Sequence, residues 1–268
     1  MMDVILKRAM EEYVSNFKVM LSFGVMFVFL PLFVLLSSFF FSSGSVFLPF
    51  NANLLAVLGL VLVLIFLYFF SFFVSLTVYA VHRDVQTLNF DTYWNTLFKD
   101  AALKIFFLYL VFAIVFYAIS SVGFMLNVVF LSTLINLILA LVIMFAPQSI
   151  VLDEATIGEA IRKSIEFWSE NFFISLSIFV LTTVLLFIIL LIELGLDLMG
   201  LPGIMVSFFL VLVVLVPFIE QTKSYAYLMK VALLKSNEVS HARAPHIERV
   251  KQLLGTRLRE RPKHGNKL

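Results

Sequence analysis

A chain of 268 residues that is 62% hydrophobic and 13% charged, with mean hydropathy +1.06, exceeds the ~45–50% apolar content of soluble domains and cannot hide that surface in one aqueous core. Its net charge of +2 averages a nearly uncharged body with a basic tail, which gives nucleic acid no footing as a partner. With 0 cysteines, a disulfide framework, thiolate metal ligation and a cysteine nucleophile are excluded.

Six apolar runs follow in order: Val19 to Phe41, Leu54 to Val81, Ile105 to Val122, Val128 to Ile150, Phe172 to Ile192 and Ile204 to Tyr227. Each is near or above the ~20 residues that cross a ~30 Å hydrocarbon core. Before the first, Ile5, Ala9, Tyr13 and Phe17 take one helical face and Lys7, Arg8, Glu11 and Glu12 the other, the pattern of a helix lying in the membrane interface. The first run is longer than the ~7–15-residue core of a cleavable signal and lacks an Ala-x-Ala site, so it is expected to persist as a helix. On the second run Tyr68, Ser71, Ser75 and Tyr79 repeat at helical spacing, and His82 extends the line to the interface. Polar side chains in a span are costly and mark functional grooves, so these residues, with Asn136 and Glu220, form a candidate groove for a polar headgroup or small solute. Small hydroxyl residues also let helices approach closely, and for this stripe helix packing is preferred to the groove. His82-Arg83-Asp84 spells a kinase catalytic triplet without its Gly-rich loop or Asp-Phe-Gly, and reads as a polar cap on the span.

Ahead of the third run, Trp94, Leu97, Phe98 and Ala101 oppose Asn95, Lys99 and Asp100 on a second interfacial stretch. In the fourth, Asn136, with Ser132 and Thr133 on nearby faces, is placed to hydrogen-bond a neighbouring helix, and Pro147 frees the carbonyl of Ile143. Thr156 and Glu159 then form a Thr-x-x-Glu capping box, which opens a third amphipathic stretch. Its Ile157, Ala160, Ile161, Ser164, Ile165 and Trp168 lie opposite Glu159, Arg162, Lys163, Glu166 and Glu170. Past the fifth run, Glu193 and Asp197 are like charges at i, i+4 near a helix C-terminus, mildly unfavourable there; a bound cation would relieve them, and simple solvation is the preferred expectation. In the sixth, Pro217 frees the carbonyl of Val213. Glu220 falls ~24 Å along the helix from Ile204 at ~1.5 Å per residue, at the interface. It is a candidate for handling a cation or proton in a vestibule, against the simpler reading of a pair with Lys223 or Ser224 at helical spacing.

Residues 235–268 form a tail with nine Lys or Arg against Glu238, Glu248 and Glu260, a net +6. Ile247, Val250, Leu253, Leu254 and Leu258 make an apolar stripe with Arg249, Lys251, Arg257 and Arg259 around it. That composition suits docking on anionic headgroups, with a protein partner as the alternative, and the end from Arg261 onward is expected to lack order. No zinc-protease, nucleophile-elbow, Walker or dinucleotide motif occurs. Glu11-Glu12 resembles the paired acids of some intramembrane proteases, but Asn16 stands where that pattern wants an arginine. His82, His241, His246 and His264 lack metal-ligand spacing. No catalytic, cofactor or metal site is expected; membrane lipids are the expected partners.

Threading the six runs back and forth puts all 19 Lys and Arg on one side: Lys7, Arg8 and Lys18, then Arg83, Lys99 and Lys104, then Arg162 and Lys163, and the rest at or beyond the end of the sixth run. Cytoplasmic loops carry such an excess, so both termini are expected in the cytoplasm and the protein in the cell membrane. The expected fold is an all-α membrane protein over residues 1–234, six transmembrane helices arranged as three parallel hairpin repeats, each preceded by a cytoplasmic-side amphipathic helix. Lys7-Arg8 and Asn16-Phe17 align with Arg162-Lys163 and Asn171-Phe172 at one offset, which carries the repeat. Repeats entering from one side differ from the inverted repeats of many secondary transporters.

The stretch Phe145-Ala146-Pro147-Gln148-Ser149-Ile150-Val151-Leu152, followed by Glu159-Ala160-Ile161-Arg162-Lys163-Ser164 and Asn171-Phe172, resembles a broad class of six-helix prokaryotic membrane proteins, and is similar to the membrane domain that some glycerophosphodiester phosphodiesterases carry. The resemblance spans Met1 to Leu234 and implies an architecture and a membrane location. It implies no catalytic residue, because the chemistry of those enzymes belongs to a separate soluble domain. The expected function is a non-catalytic membrane protein that organises lipid or partner proteins, with a transporter or lipid-translocating protein as the alternative.

Overall fold

The computed structural model describes residues 2–15, 21, 23–35, 40–42, 45–47, 54–86 and 100–229. Five of its helices are long and apolar enough to cross a membrane, at 24–27 residues and mean hydropathy 2.5–2.9: Val57–Val81, Ala102–Met125, Val129–Leu152, Phe172–Leu198 and Gly203–Met229. The chain divides into two units, Met1–Tyr227 and Leu228–Leu268. Of the second unit only Leu228 and Met229 are described, so the basic tail with Arg249, Lys251, Arg257 and Arg259 lies outside the described residues.

Helix α1 is Met2–Ser15, with Ile5 and Ala9 buried and Lys7 and Glu11 exposed. The first apolar run departs from a single helix: a 3-10 segment, Phe23–Val28, leads into α2, Phe29–Leu35. Pro31 has no amide to give and its ring crowds the carbonyl of Phe27, so an α-helix cannot pass through Phe27 undisturbed and the tighter turn precedes it. The run does not stay helical to Phe41, because Phe40–Ser42 is a strand, β1, paired antiparallel with β2, Ser45–Phe47. The register opposes Phe40 to Phe47, Phe41 to Val46 and Ser42 to Ser45. Phe and Val suit a strand as readily as a helix, which is why an apolar run of this length hides the change.

The remaining helices are α3 Leu54–Gln86, α4 Ala102–Met125, α5 Val129–Ile143, α6 Ala146–Leu152, α7 Ile157–Glu170, α8 Phe172–Leu198 and α9 Gly203–Met229. The stretch containing Trp94, Asn95, Leu97, Phe98 and Lys99 lies outside the described residues, as do Asn16 and Phe17 of the repeat alignment. Helices α4 and α5 meet in a tight hairpin in which Asn127 adopts φ 57, a left-handed turn that asparagine tolerates. Glycine is required at 123, where a Cβ would collide with the side chain of Ser132. The α8 to α9 connection turns through Gly200 at φ 73, and Asp197 Oδ1 accepts a 3.0 Å hydrogen bond from the Gly203 amide. The Glu193/Asp197 pair is therefore not simply solvated: Asp197 satisfies the start of the next helix and Glu193 is 6% exposed.

Burial is concentrated at one end of the bundle. Ser71 to Val81 of α3, the first turns of α4 (Ala102, Ile105, Leu108), α6 from Ala146 to Val151, and α9 from Val211 onward supply most of the core, together with Phe23, Met26 and Leu30. We call this the α7 end. Toward the opposite end the helices expose apolar side chains such as Phe124, Phe130 and Leu198, a surface suited to hydrocarbon and costly in water at ~25 cal/mol per Å².

Candidate functional site

The apolar run Val128 to Ile150 is broken. Helix α5 ends at Ile143, Phe145 sits at φ −103 and ψ 2, and α6 restarts at Ala146 with Pro147 in its first turn. Pro147 brings no amide to the helix, and in a membrane every freed backbone group needs a partner. Two other helices supply partners for three backbone groups around the break. From α7, the Ser164 hydroxyl accepts from the Phe145 amide at 3.1 Å and donates to the Val142 carbonyl at 2.5 Å. From α9, Lys223 Nζ donates to the Met144 carbonyl at 3.1 Å.

Lys223 also pairs with Glu220 one turn earlier, Nζ to Oε1 at 2.6 Å, and Gln148 Nε2 of α6 donates to Glu220 Oε2 at 2.8 Å. The two charged side chains are 8% and 9% exposed, and their opposite charges leave the site electrically neutral. Glu220 and Lys223 line a cavity of about 420 Å³, within the ~300–1,000 Å³ range of small-molecule pockets. Its other walls are apolar side chains of α3, α5, α8 and α9, with Tyr109 of α4 and Thr182 of α8 as the added polar groups. Of the candidate groove residues whose side chains are described, only Glu220 lines it.

The others are placed elsewhere. Ser71 and Ser75 are fully buried and donate to carbonyls of their own helix, those of Leu67 at 2.8 Å and Phe72 at 2.7 Å. Tyr68 meets Phe106 edge to face at 6.0 Å, and Tyr79 is 1% exposed. Asn136 ties α5 to α4, donating to Ser120 Oγ at 2.8 Å and the Phe116 carbonyl at 3.3 Å. His82 belongs to α3, and its side chain lies outside the described residues.

Two further contacts brace the site. The sixth run carries a π-helical segment, Leu210–Leu215, just before Pro217. The Val213 carbonyl that Pro217 cannot serve receives the Tyr13 hydroxyl of α1 at 2.9 Å, while the Tyr13 ring meets Phe218 edge on. Burial raises the Tyr13 phenol above its ordinary pKa, so it stays a donor. At the α7 end, Asp153 Oδ2 accepts from Lys163 at 2.8 Å and from the Tyr227 hydroxyl at 2.6 Å, and Tyr227 stacks on Phe167. Among the described residues no group of three His, Asp or Glu side chains gathers where a metal ion could sit. The arrangement offers hydrogen-bond donors and acceptors beside an apolar volume, chemistry that binds and orients. Comparison with protein-family models, curated proteins and solved structures finds no match.

Proposed function

We propose that the chain is a non-catalytic membrane protein that organises lipid, with the apolar cavity floored by Glu220 and Lys223 as the observation that carries this reading. The proposed topology has six crossings in three parallel hairpins, the segment from Phe23 to Leu35 belonging to the first. Both termini face the cytoplasm, since all 19 Lys and Arg then share one side. Contact of Tyr13 with Phe218, in the half of α9 toward the α7 end, supports an even number of crossings. The interfacial helices and the basic tail, with Arg249, Lys251, Arg257 and Arg259, dock on anionic headgroups, a protein partner being the alternative for the tail. The likeness to the phosphodiesterase membrane domain is one of architecture.

The test is purification of the full chain in mild detergent, quantification of the phospholipid that stays bound, and incubation with that lipid. Retained lipid recovered unchanged is the expected result; hydrolysed or transferred headgroup overturns the non-catalytic reading. Transport is the second reading, favoured by the break between α5 and α6 and by the π-helical segment of α9, since discontinuous helices build many transporter sites. Flux of a small solute into reconstituted vesicles would establish it.

A further inference from the structure

The cavity beside Glu220 and Lys223 has three properties that together specify its occupant. It is walled by both α5 and α8, through Ala140 on one and Phe179 on the other, yet these two helices do not pack closely on each other. The cavity occupies the space between them. It is also graded along its length: α8 and α9 run antiparallel, so Leu186 and Val211 lie at the apolar end while Glu220 and Lys223 lie toward the α7 end. An apolar body with a polar head at the interface matches that gradient.

Unused hydrogen-bonding capacity supplies the rest. An ammonium carries three N–H donors, and those of Lys223 reach Glu220 and the Met144 carbonyl, which leaves one. The Tyr109 hydroxyl donates to no described protein group, while its ring packs against Phe70. Glu220 accepts one hydrogen bond on each oxygen, and a carboxylate has room for about four. The site therefore presents two free donors beside an acceptor of opposite charge. An anionic ligand alone, or a cationic one alone, would leave this neutral pair unbalanced in a poorly solvated place. A head bearing both charges does not.

We propose that the cavity seats one phospholipid whose head carries a phosphate and an ammonium, the phosphate oxygens accepting from Lys223 and Tyr109 and the ammonium facing Glu220, with an acyl chain along α5 and α8. This rests on the lipid-organising reading and names the lipid class and its site. Full-length protein, depleted of lipid in detergent, is titrated with dioleoyl phosphatidylethanolamine and with dioleoyl phosphatidylglycerol, and bound lipid is counted by native mass spectrometry. Tyr109→Phe keeps the ring and removes only the hydroxyl; Ala140→Phe fills the cavity from the exposed face of α5.

The ethanolamine lipid is expected to bind about tenfold more tightly than the glycerol lipid, and Tyr109→Phe, which removes a donor to the phosphate that both lipids share, to weaken both by about tenfold, the size expected for one charge-assisted hydrogen bond. Ala140→Phe should abolish selective binding with the melting temperature unchanged. If the wild type holds lipid and both variants hold it equally well, the site is wrong and lipid organisation survives. Equal or tighter binding of the glycerol lipid overturns the headgroup assignment. Soluble phosphoethanolamine competing as well as the intact lipid would show a water-soluble ligand instead. If the wild type retains no phospholipid beyond exchange with empty micelles, the lipid-organising reading itself falls.

Discussion

Glu220 and Lys223 are so little exposed that solvent hardly screens their attraction, and neither tolerates the loss of the other. Lys223→Met strands the carboxylate and orphans the Met144 carbonyl, a loss expected to reach about 3–5 kcal/mol. Glu220→Gln combined with Lys223→Met removes both charges, keeps an amide within reach of Gln148, and should recover much of that loss. Denaturant unfolding of the single and double variants in detergent measures the coupling; additive losses would show that the pair does not act as a unit. The pair is legible in the sequence because its spacing is local. Its partners are not, since Gln148 and Met144 lie 72 and 79 residues from theirs and no local pattern reports which helix faces which. The same holds at Val213: Pro217 marks a freed carbonyl, but the hydroxyl that serves it stands 200 residues upstream. Local charge counting also stops short at Asp197, whose role as acceptor for Gly203 depends on how the chain turns back at Gly200.

Helix α7 shows what local chemistry fixes at the level of an element. Thr156 Oγ1 accepts from the Glu159 amide at 3.4 Å and Glu159 Oε2 accepts from the Thr156 amide at 3.0 Å, the reciprocal cap that the Thr-x-x-Glu spacing implies. Periodicity is less exact. The buried line runs Ala160, Ser164 and Phe167, whereas Ile165, read as part of the apolar face, is 45% exposed. Hydrogen bonding from the Thr156 amide, then from its hydroxyl, holds the Glu159 carboxyl below its ordinary pKa. A carboxyl lowered on folding stabilises fully above its unfolded value of ~4.3, and that contribution is lost as pH falls through the lower folded value. Thr156→Ala should cost about 1 kcal/mol near neutrality, and the gap to wild type should narrow on acidification as the partner carboxylate protonates. Melting temperatures of the two proteins in detergent from pH 7 downward check this; a gap that stays constant into the acid range would mean that the carboxylate adds nothing to the cap. Interruptions inside an apolar run are harder to foresee. Pro31, Pro147 and Pro217 mark where helices are disturbed, but not that the answers are a 3-10 turn, a full break and a π-helical segment in turn.

At the scale of the molecule, the concentration of the core at the α7 end leaves one question that the arrangement of charges addresses directly. Five described spanning helices would place the two ends of the chain on opposite sides, and a sixth crossing before α3 would return them to the same side. The packing of α1 against Val213 and Phe218 favours the even count. Cysteine labelling decides it in this cysteine-free chain, with sites chosen from the structure. Gly123 and Gly200 are poor choices, the first because a Cβ meets Ser132 and the second because φ 73 resists a side chain. Leu126 and Leu201, 67% and 51% exposed in the connections opposite the α7 end, serve instead. Glu166 on α7 and Lys7 on α1 are exposed and polar, so cysteine there disturbs little. In sealed cells an impermeant thiol reagent is expected to modify Leu126→Cys and Leu201→Cys, and to reach Glu166→Cys and Lys7→Cys only after permeabilisation. Lys7→Cys labelled from outside with Glu166→Cys protected would leave five crossings. Glu166→Cys labelled from outside would invert the orientation, against the excess of Lys and Arg that cytoplasmic loops carry.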